Sequence, residues 1–382
     1  MKPVNTIVSE TLASTDYSRR QILNHMLAGA SGLALSGLLP AWAASAATPL
    51  SWMGWQGYDD PIKAGTFLAD NGIELATTYM NSNEELVAKL QAGGAGQLDL
   101  ATIYFGHVPI LTGADLVEEI DASKIAGFDK IFPQFLNIDT IRKDGKLYAV
   151  PFTWGTLSMV YDPGVIPAAP TSWKDCLKDE YKGKVAMTDD ITGLISTWAP
   201  IATGTTTPTR LTMDQLKATI DFLITIKKNH ARTFSASYGE ATDLFARGEV
   251  VISAIGWDAQ VGFAAAKGKK LSFAMPDEGV MAFMDALVIP KGAPNMEAAY
   301  KALGHAISPE GQKVMATNLT QAVVNSDAVP MVSDENKAIY QYDKLDAFLT
   351  KAKFNPFWPL TPEGDFATFD QVQEEYQRFL KA

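Results

Sequence analysis

Short apolar runs alternate with amphipathic stretches along most of the chain. The runs at residues 50–53, 73–79 and 98–103 have the length and apolar content of strands. Between them, residues 61–70 and 83–90 carry apolar positions at helical spacing. Such alternation predicts an α/β fold in which mostly parallel sheets are flanked by helices.

Capping signals and a second set of units extend this pattern. Ser82 with Glu85, and Thr212 with Gln215, have the spacing of capping boxes at helix starts. The remaining predicted strands are residues 147–152, 156–161, 184–187, 250–255 and 283–289, and the remaining predicted helices are residues 192–201, 213–228, 296–306, 309–317, 344–353 and 366–380.

The length of 382 residues is enough for two packed cores at roughly 100–200 residues per domain. A late strand followed by helices is typical of a chain that returns to complete its first lobe. The predicted organisation is one lobe from residues 47–153 and 284–365, a second lobe from residues 154–283 with hinge strands between them, and a C-terminal helix at residues 366–382 that the pattern assigns to neither lobe.

The N-terminal segment has the pattern of an export signal. Ser18-Arg19-Arg20 precedes a stretch without Asp, Glu, Lys or Arg that extends to Tyr58. Its apolar run, residues 26–39, is shorter than the about 20 residues needed to span a bilayer. We therefore predict a twin-arginine-type signal peptide over residues 1–46, cleaved near residues 43–46, a periplasmic mature protein and no permanent membrane anchor.

Charge and cysteine content narrow the class of partner. The chain has 32 Lys and Arg against 43 Asp and Glu. Residues 1–46 contain three of the basic and two of the acidic side chains, so the rest carries a net charge of −12. An acidic protein of this kind repels nucleic acid and anionic lipid. Cys176 is the only cysteine, which excludes an internal disulfide, and we expect a monomer.

Candidate chemistry lies where the predicted strands end. Ligands of open α/β sheets bind beyond the carboxyl ends of the strands, and the residues found there are acidic or aromatic: Trp52, Trp55, Tyr104, Asp190, Trp257 and Asp258, with Asp285 at the predicted return crossing. Carboxylates beside ring faces suit an alkylammonium ligand, because the acid balances the charge and the rings add cation–π attraction. These positions predict a site for a small amine.

Catalytic and metal-binding patterns are weak by comparison. The sequence has no nucleophile elbow, phosphate-binding loop or complete dinucleotide fingerprint, and its four histidines lack metal-ligand spacing. We therefore expect no metal, no cofactor and no enzymatic activity. Two alternatives stay open at this point: an exported enzyme with Cys176 as nucleophile, and a ferric-ion site formed by Tyr340 and Tyr342.

Several segments resemble one family in order and spacing. They are residues 51–55 (Ser-Trp-Met-Gly-Trp), 98–100, 148–155 (Tyr-Ala-Val-Pro-Phe-Thr-Trp-Gly), 187–190, 248–250 with 256–257, and 283–290. Together they make nearly all of the chain beyond residue 46 similar to periplasmic solute-binding proteins of the spermidine/putrescine type, the binding component of an ABC importer. The resemblance implies a two-lobed periplasmic-binding-protein fold of type II, an inter-lobe cleft and a membrane permease as partner.

The resemblance also implies which residues contact the ligand. The binding aromatics of the family fall on Trp52, Trp55, Trp257 and Phe283, and its amine-binding acids fall on Asp190 and Asp285. A small cationic amine of the polyamine type is the ligand that this implies.

Two departures from the family pattern leave an alternative ligand open. Gly193 stands where these proteins usually have a glutamate, and Tyr104-Phe105-Gly106 replaces their Ser-x-Tyr loop. The loss of one acid favours a ligand with a single ammonium, such as the zwitterion γ-aminobutyrate. Arg232 is the candidate to hold the carboxylate of that zwitterion.

Overall fold

The computed structural model describes residues 47–382, so the predicted signal peptide at residues 1–46 lies outside the described residues. The strands are β1 (Thr48–Gly54), β2 (Ile73–Tyr79), β3 (Leu100–Tyr104), β4 (Arg142–Lys143), β5 (Lys146–Leu147), β6 (Val150–Leu157), β7 (Met159–Tyr161), β8 (Val185–Thr188), β9 (Ala231–Ser235), β10 (Ile252–Ser253), β11 (Ser272–Ala274), β12 (Val280–Val288), β13 (Ala322–Val323) and β14 (Ala352–Phe354).

Helices connect and cover these strands. They are α1 (Asp60–Lys63), α2 (Phe67–Asp70), α3 (Asn83–Lys89), α4 (Val108–Gly113), α5 (Pro133–Leu136), α6 (Ile191–Thr203), α7 (Met213–Asn229), α8 (Tyr238–Ala246), α9 (Gln260–Ala265), α10 (Met296–Ala306), α11 (Pro309–Leu319), α12 (Asp334–Tyr340), α13 (Leu345–Lys351) and α14 (Phe369–Lys381). Between residues 47 and 382, no helix is both long and apolar enough to cross a bilayer.

Two mixed sheets form the centres of the two lobes. The first has the order β13-β6-β12-β3-β1-β2, with β14 also paired to β12. The second has the order β11-β7-β10-β8-β9. Strands β2, β1 and β3 are parallel in the first sheet, and β10, β8 and β9 are parallel in the second. The predicted parallel character holds for these cores, and antiparallel strands extend each of them.

The chain passes between the sheets through two long strands, β6 and β12, whose residues are buried except for the half-buried Phe283. All eight residues of β6 are buried, and β6 pairs with β12 from Leu157↔Met281 to Val150↔Leu287. The predicted lobe boundaries at 153/154 and 283/284 fall inside these two strands. Because β7 begins at Met159 in the second sheet, the first crossing lies at Ser158. A strand buried on both faces shows no alternation, which is why the sequence predicts two interrupted strands here.

The predicted helix at residues 61–70 is two short helices instead. Gly65, between α1 and α2, has φ +61°, a left-handed conformation that interrupts a right-handed helix. Likewise, the predicted strand at residues 250–255 forms ladder pairs only at Ile252 and Ser253. Both differences arise from local backbone geometry, which cannot be predicted from the spacing of apolar residues.

The predicted helix starts are confirmed. Ser82 accepts a hydrogen bond from the Glu85 backbone N–H at 3.2 Å, although the Glu85 carboxylate accepts from Asn81 N rather than from Ser82 N. Thr212 and Gln215 form the reciprocal pair of a capping box, with N···O distances of 3.3 Å and 3.0 Å. Such caps fix where α3 and α7 begin.

The C-terminal helix α14 packs on the second lobe. Its Phe379 ring lies 5.3 Å from Phe234 on β9, and Arg378 pairs with Asp221 of α7 at 2.6 Å. Lys227, also on α7, donates to two backbone carbonyls of the last helical turn at 3.1 and 3.0 Å. Residues 355–368 therefore cross from β14 in the first sheet to the second lobe.

We expect Phe379→Ala to destabilise the protein by about 3–5 kcal/mol, because its fully buried ring fills the interface between α14 and the second lobe. Urea unfolding followed by circular dichroism measures this change. Gln377→Ala, at an exposed position of the same helix, is the matched control and should stay within about 0.5 kcal/mol of wild type. Equal stabilities for the two variants would contradict the packing of α14 described above.

Candidate functional site

Asp285 presents a buried carboxylate at the end of the first parallel core. It lies on β12 opposite Tyr104, the last residue of β3. One carboxylate oxygen accepts a hydrogen bond from the Tyr58 hydroxyl at 2.6 Å, and the side-chain amide of Gln321 donates to that hydroxyl at 2.8 Å. Burial raises the pKa of Asp285 to about 6, and the Tyr58 bond opposes part of this rise.

Asp190 presents the corresponding carboxylate on the second lobe. It follows β8 and caps α6, where it accepts the Gly193 backbone N–H at 2.7 Å. Its second oxygen accepts from the Tyr238 hydroxyl at 2.7 Å. Burial raises the pKa of Asp190, while these two hydrogen bonds lower it.

Tyr104 connects the two carboxylates electrostatically. Burial raises the pKa of this phenol, and the negative charges of Asp190 and Asp285 raise it further. Acids from both lobes therefore act on one side chain at the end of β3. Among residues 47–382, the hydrogen-bond partners of Asp190 and Asp285 are tyrosine hydroxyls and one backbone amide, and none is a cation.

Aromatic rings lie between the two acids. Trp257 lies 6.2 Å from Phe283 and 6.1 Å from Tyr238, measured between ring centroids. Phe283 precedes Asp285 by two residues on β12, so the two side chains lie on the same face of the strand. Gly155 makes room for this arrangement, since a Cβ there would lie 2.7 Å from the Phe283 ring. The half-buried rings thus form a wall from one carboxylate towards the other.

Trp55 lies in the turn that carries Tyr58. Its side chain is half-buried, and its carbonyl accepts the Tyr58 backbone N–H at 3.0 Å. Trp55 is therefore partly exposed and hydrogen-bonded to Tyr58, the residue whose hydroxyl bonds Asp285. Its contact with a ligand stays a prediction.

Trp52 is a core residue, contrary to the prediction that it contacts ligand. Its side chain is 0% exposed on β1, and its ring lies over Gly54, where an added Cβ would collide with it. The Tyr79 ring meets it edge-on at 6.5 Å. Its complete burial gives no support to the predicted ligand contact.

Asp258 also differs from its predicted role as a ligand contact. It is 0% exposed, and both of its oxygens are occupied by protein groups. One accepts the backbone N–H and the hydroxyl of Thr156 at 2.7 and 2.8 Å, and the other lies 3.1 Å from the Tyr340 hydroxyl. Burial raises its pKa to about 7. The adjacent Trp257 is partly exposed, whereas Asp258 is not.

Arg232 lies at the wrong end of its strand to hold a ligand carboxylate. It is exposed and pairs with Glu249 at 3.3 Å. It comes three residues before Ser235, the last residue of β9, which pairs with the end of β8 next to Asp190. Three residues of strand correspond to about 10 Å. The prediction that Arg232 binds a zwitterion is therefore not supported by its position.

The structure supports neither the enzyme with Cys176 as nucleophile nor the ferric-ion site at Tyr340 and Tyr342. The Cys176 thiol is fully buried, and burial raises its pKa, which is the opposite of an activated nucleophile. Tyr340 and Tyr342 are buried, with hydroxyls bonded to protein groups such as Asn336. Within residues 47–382, no three His, Cys, Asp or Glu side chains are grouped closely enough to hold a metal ion.

Sequence reasoning missed three residues of the site. Tyr58 and Tyr238 hold the two carboxylates, and Gln321 fixes Tyr58. The strand-end rule that finds Asp190 also reaches Tyr238, which comes three residues after the end of β9. Gln321 has no such signal, because only the fold brings it next to a residue 263 positions away.

Comparison with known proteins identifies the family of this chain. A family model of bacterial extracellular solute-binding proteins matches residues 64–347. The chain belongs to that family. The spermidine/putrescine-binding periplasmic protein of Escherichia coli (strain K12) is 29% identical over 364 residues, which cover 94% of this chain and 98% of the relative.

Solved structures agree on the fold of this solute-binding protein. A spermidine/putrescine ABC transporter substrate-binding protein from Streptococcus pneumoniae has a TM-score of 0.70 at 22% identity, covering 87% of this chain and 99% of its own. A GABA receptor has a TM-score of 0.63 at 20% identity, covering 87% of this chain and 97% of its own. The predicted two-lobed periplasmic-binding-protein fold is confirmed.

The contact between Gly155 and Phe283 gives a testable prediction about the ring wall. We expect Gly155→Ala to displace Phe283 at a cost of about 1–3 kcal/mol, because the new methyl group would overlap the ring. Thermal unfolding and tryptophan fluorescence, which reports the neighbouring Trp257, measure the change. Gly113→Ala is the control, since a Cβ there meets nothing within 4 Å. An unchanged Trp257 signal in Gly155→Ala would contradict the proposed packing.

Proposed function

We propose that this solute-binding protein is the periplasmic receptor of an ABC importer and holds a small alkylammonium ligand of the polyamine type between its lobes. One observation carries the proposal: Asp285, buried on the first lobe, and Asp190, half-buried on the second, lie beside a wall of rings, and no protein cation is among their hydrogen-bond partners. Relatives named as spermidine/putrescine-binding and putrescine-binding periplasmic proteins support this ligand class. The predicted signal peptide at residues 1–46 supplies the route to the periplasm.

Electrostatics explains why such a site attracts an ammonium. A buried carboxylate without a counter-charge costs several kcal/mol, a cost that a ligand cation removes. Each ring face adds about 0.5–2 kcal/mol of cation–π attraction and covers the methylene stem of the ligand. The charge and the shape of the cleft thus select for a cation with an apolar spacer.

A single-ammonium ligand such as γ-aminobutyrate is the second candidate, and Gly193 is the observation that favours it. An added Cβ at Gly193 would collide with Ile255 and lie 2.7 Å from Leu157. Apolar side chains thus fill the space beside Asp190 in which the glutamate of related polyamine-binding proteins would begin. The second lobe offers one acid to the ligand, and the exposed Arg232 offers no partner for a ligand carboxylate.

Calorimetry with putrescine, spermidine and γ-aminobutyrate tests the proposal. We expect Asp190→Asn and Asp285→Asn each to weaken amine binding by about 30-fold or more, because truncating one partner of a buried charge pair costs about 2–5 kcal/mol. Asp189→Asn is the matched control, since that exposed carboxylate bonds Tyr376 instead. Arg232→Ala should also bind as wild type does. Tight spermidine binding by a variant that lacks both acids would refute the proposal.

The pH dependence of binding tests the role of Asp285 separately. Because burial holds its pKa at about 6 in the free site, a proton competes with the ligand ammonium below that pH. Affinity should fall about tenfold per pH unit well below pH 6. Titrations between pH 4.5 and 7 measure this slope. An affinity that stays constant down to pH 4.5 would exclude a direct Asp285–ammonium pair.

A further inference from the structure

Asp258 lies where three parts of the molecule meet. It follows Trp257 in the loop between β10 and α9 of the second lobe. Its carboxyl group bonds Thr156 near the end of hinge strand β6, and it faces Tyr340 at the end of α12 in the first lobe. Although it binds no ligand, Asp258 therefore touches the hinge and both lobes.

The number of hydrogens available around Tyr340 favours a protonated Asp258. The Tyr340 hydroxyl lies 2.8 Å from the carbonyl oxygen of Thr320 and 3.1 Å from a carboxyl oxygen of Asp258. A phenol has one hydrogen, so it can satisfy only one of two acceptors. If Asp258 carries a proton on that oxygen, it donates to Tyr340, and Tyr340 donates to Thr320. Each oxygen in this series, from Asp258 through Tyr340 to Thr320, then takes part in a hydrogen bond.

The surroundings of Asp258 contain no positive charge to stabilise an ionised form. The titratable groups that face it are Tyr340 and Tyr342, with Tyr58 beyond Tyr340. Burial raises the pKa of Tyr340, so its hydroxyl stays protonated. Among the residues that the structure describes, no Lys, Arg or His bonds Asp258. Burial accordingly raises its own pKa to about 7.

We propose that Asp258 is a positioning residue that joins the Trp257 loop, strand β6 and helix α12 as a neutral carboxylic acid, donating its own proton to Tyr340. The residues that it orders border the site: Trp257 precedes it, and Gly155, which supports the Phe283 ring, precedes Thr156. Asp258 thus acts on the ring wall without touching the ligand.

The same proton links this junction to the closure of the lobes. Gly262 of α9 packs against Thr320 at the end of α11, with 2.6 Å from an added Cβ to the Thr320 side chain. Separating the lobes would break the Asp258–Tyr340 contact and admit water, which returns the pKa of the acid towards its ordinary value. Closure around a ligand therefore takes up a proton near neutral pH. This coupling, unlike the protonation itself, rests on the proposed amine site.

Urea unfolding without ligand tests the protonation. Asp258→Asn mimics the neutral acid at every pH, because the carbonyl of the new side chain can accept from Thr156 and its amide can donate to Tyr340. The raised pKa of wild-type Asp258 gives stability that is present at low pH and lost as pH rises through about 7. Relative to Asp258→Asn, the unfolding constant of wild type should increase about tenfold between pH 6 and pH 8.

Two further variants separate a proton-dependent role from simple packing. Asp258→Ala should be clearly less stable than Asp258→Asn at pH 6, since it leaves Thr156 and Tyr340 without their partner. Tyr342→Phe is the matched control, because that hydroxyl bonds Asn336 and Val323 but not Asp258. It should keep the pH dependence of wild type. A constant ratio between wild type and Asp258→Asn, or an Asn variant as unstable as the Ala variant, would overturn the proposal.

Binding of putrescine tests the coupling to closure. The dissociation constant of wild type, divided by that of Asp258→Asn, should increase about tenfold from pH 6 to pH 8. Because the ligand and Asp285 titrate in the same way in both proteins, their effects on binding cancel in this ratio. If putrescine, spermidine and γ-aminobutyrate all fail to bind, the proposed function fails, while the unfolding comparison still decides the state of Asp258. Binding with a pH-independent ratio would refute the coupling alone.

Discussion

The architecture depends on buried or half-buried acidic side chains whose hydrogen-bond partners are phenols instead of lysine or arginine. The pairs are Asp285–Tyr58, Asp190–Tyr238 and Asp258–Tyr340. A tyrosine hydroxyl fixes the direction of a carboxyl group but leaves its charge in place. Two of these acids are thereby oriented and still able to bind a cation, which an arginine partner would prevent.

Strand topology determines which acids stay available. The carboxyl ends of β3 and β8 lie at the site, and β12 runs antiparallel to β3, so that it delivers Phe283 and Asp285 together on one face. Strands β6 and β12 belong to the first sheet and also lead into the second lobe. The Phe283 ring and the connection between the lobes therefore lie on the same strands. A small rotation at Ser158 changes the spacing of rings and acids at once.

The sequence predicts most of the helices and strands and both acids of the candidate site, and its failures have physical causes. Asp190 is found because it combines a strand end with a helix cap, and both signals are local. Trp52 and Trp257 carry the same local signal, yet one points into the sheet and the other into the cleft. Side-chain direction follows from register against neighbouring strands. Asp258 and Gln321 depend on contacts across the whole fold, which no local pattern contains.

The distribution of acids also limits the ligand. With one unpaired carboxylate on each lobe, a diamine balances both charges on closure, whereas a single ammonium leaves one acid buried and uncompensated. A zwitterion adds its own carboxylate to an acidic site, and Arg232, the predicted partner of that carboxylate, is exposed and pairs with Glu249. The third ammonium of a longer polyamine would find Leu157 and Ile255 beside Gly193 instead of an acid. Charge balance therefore favours a ligand with two ammonium groups over one with a single group or three.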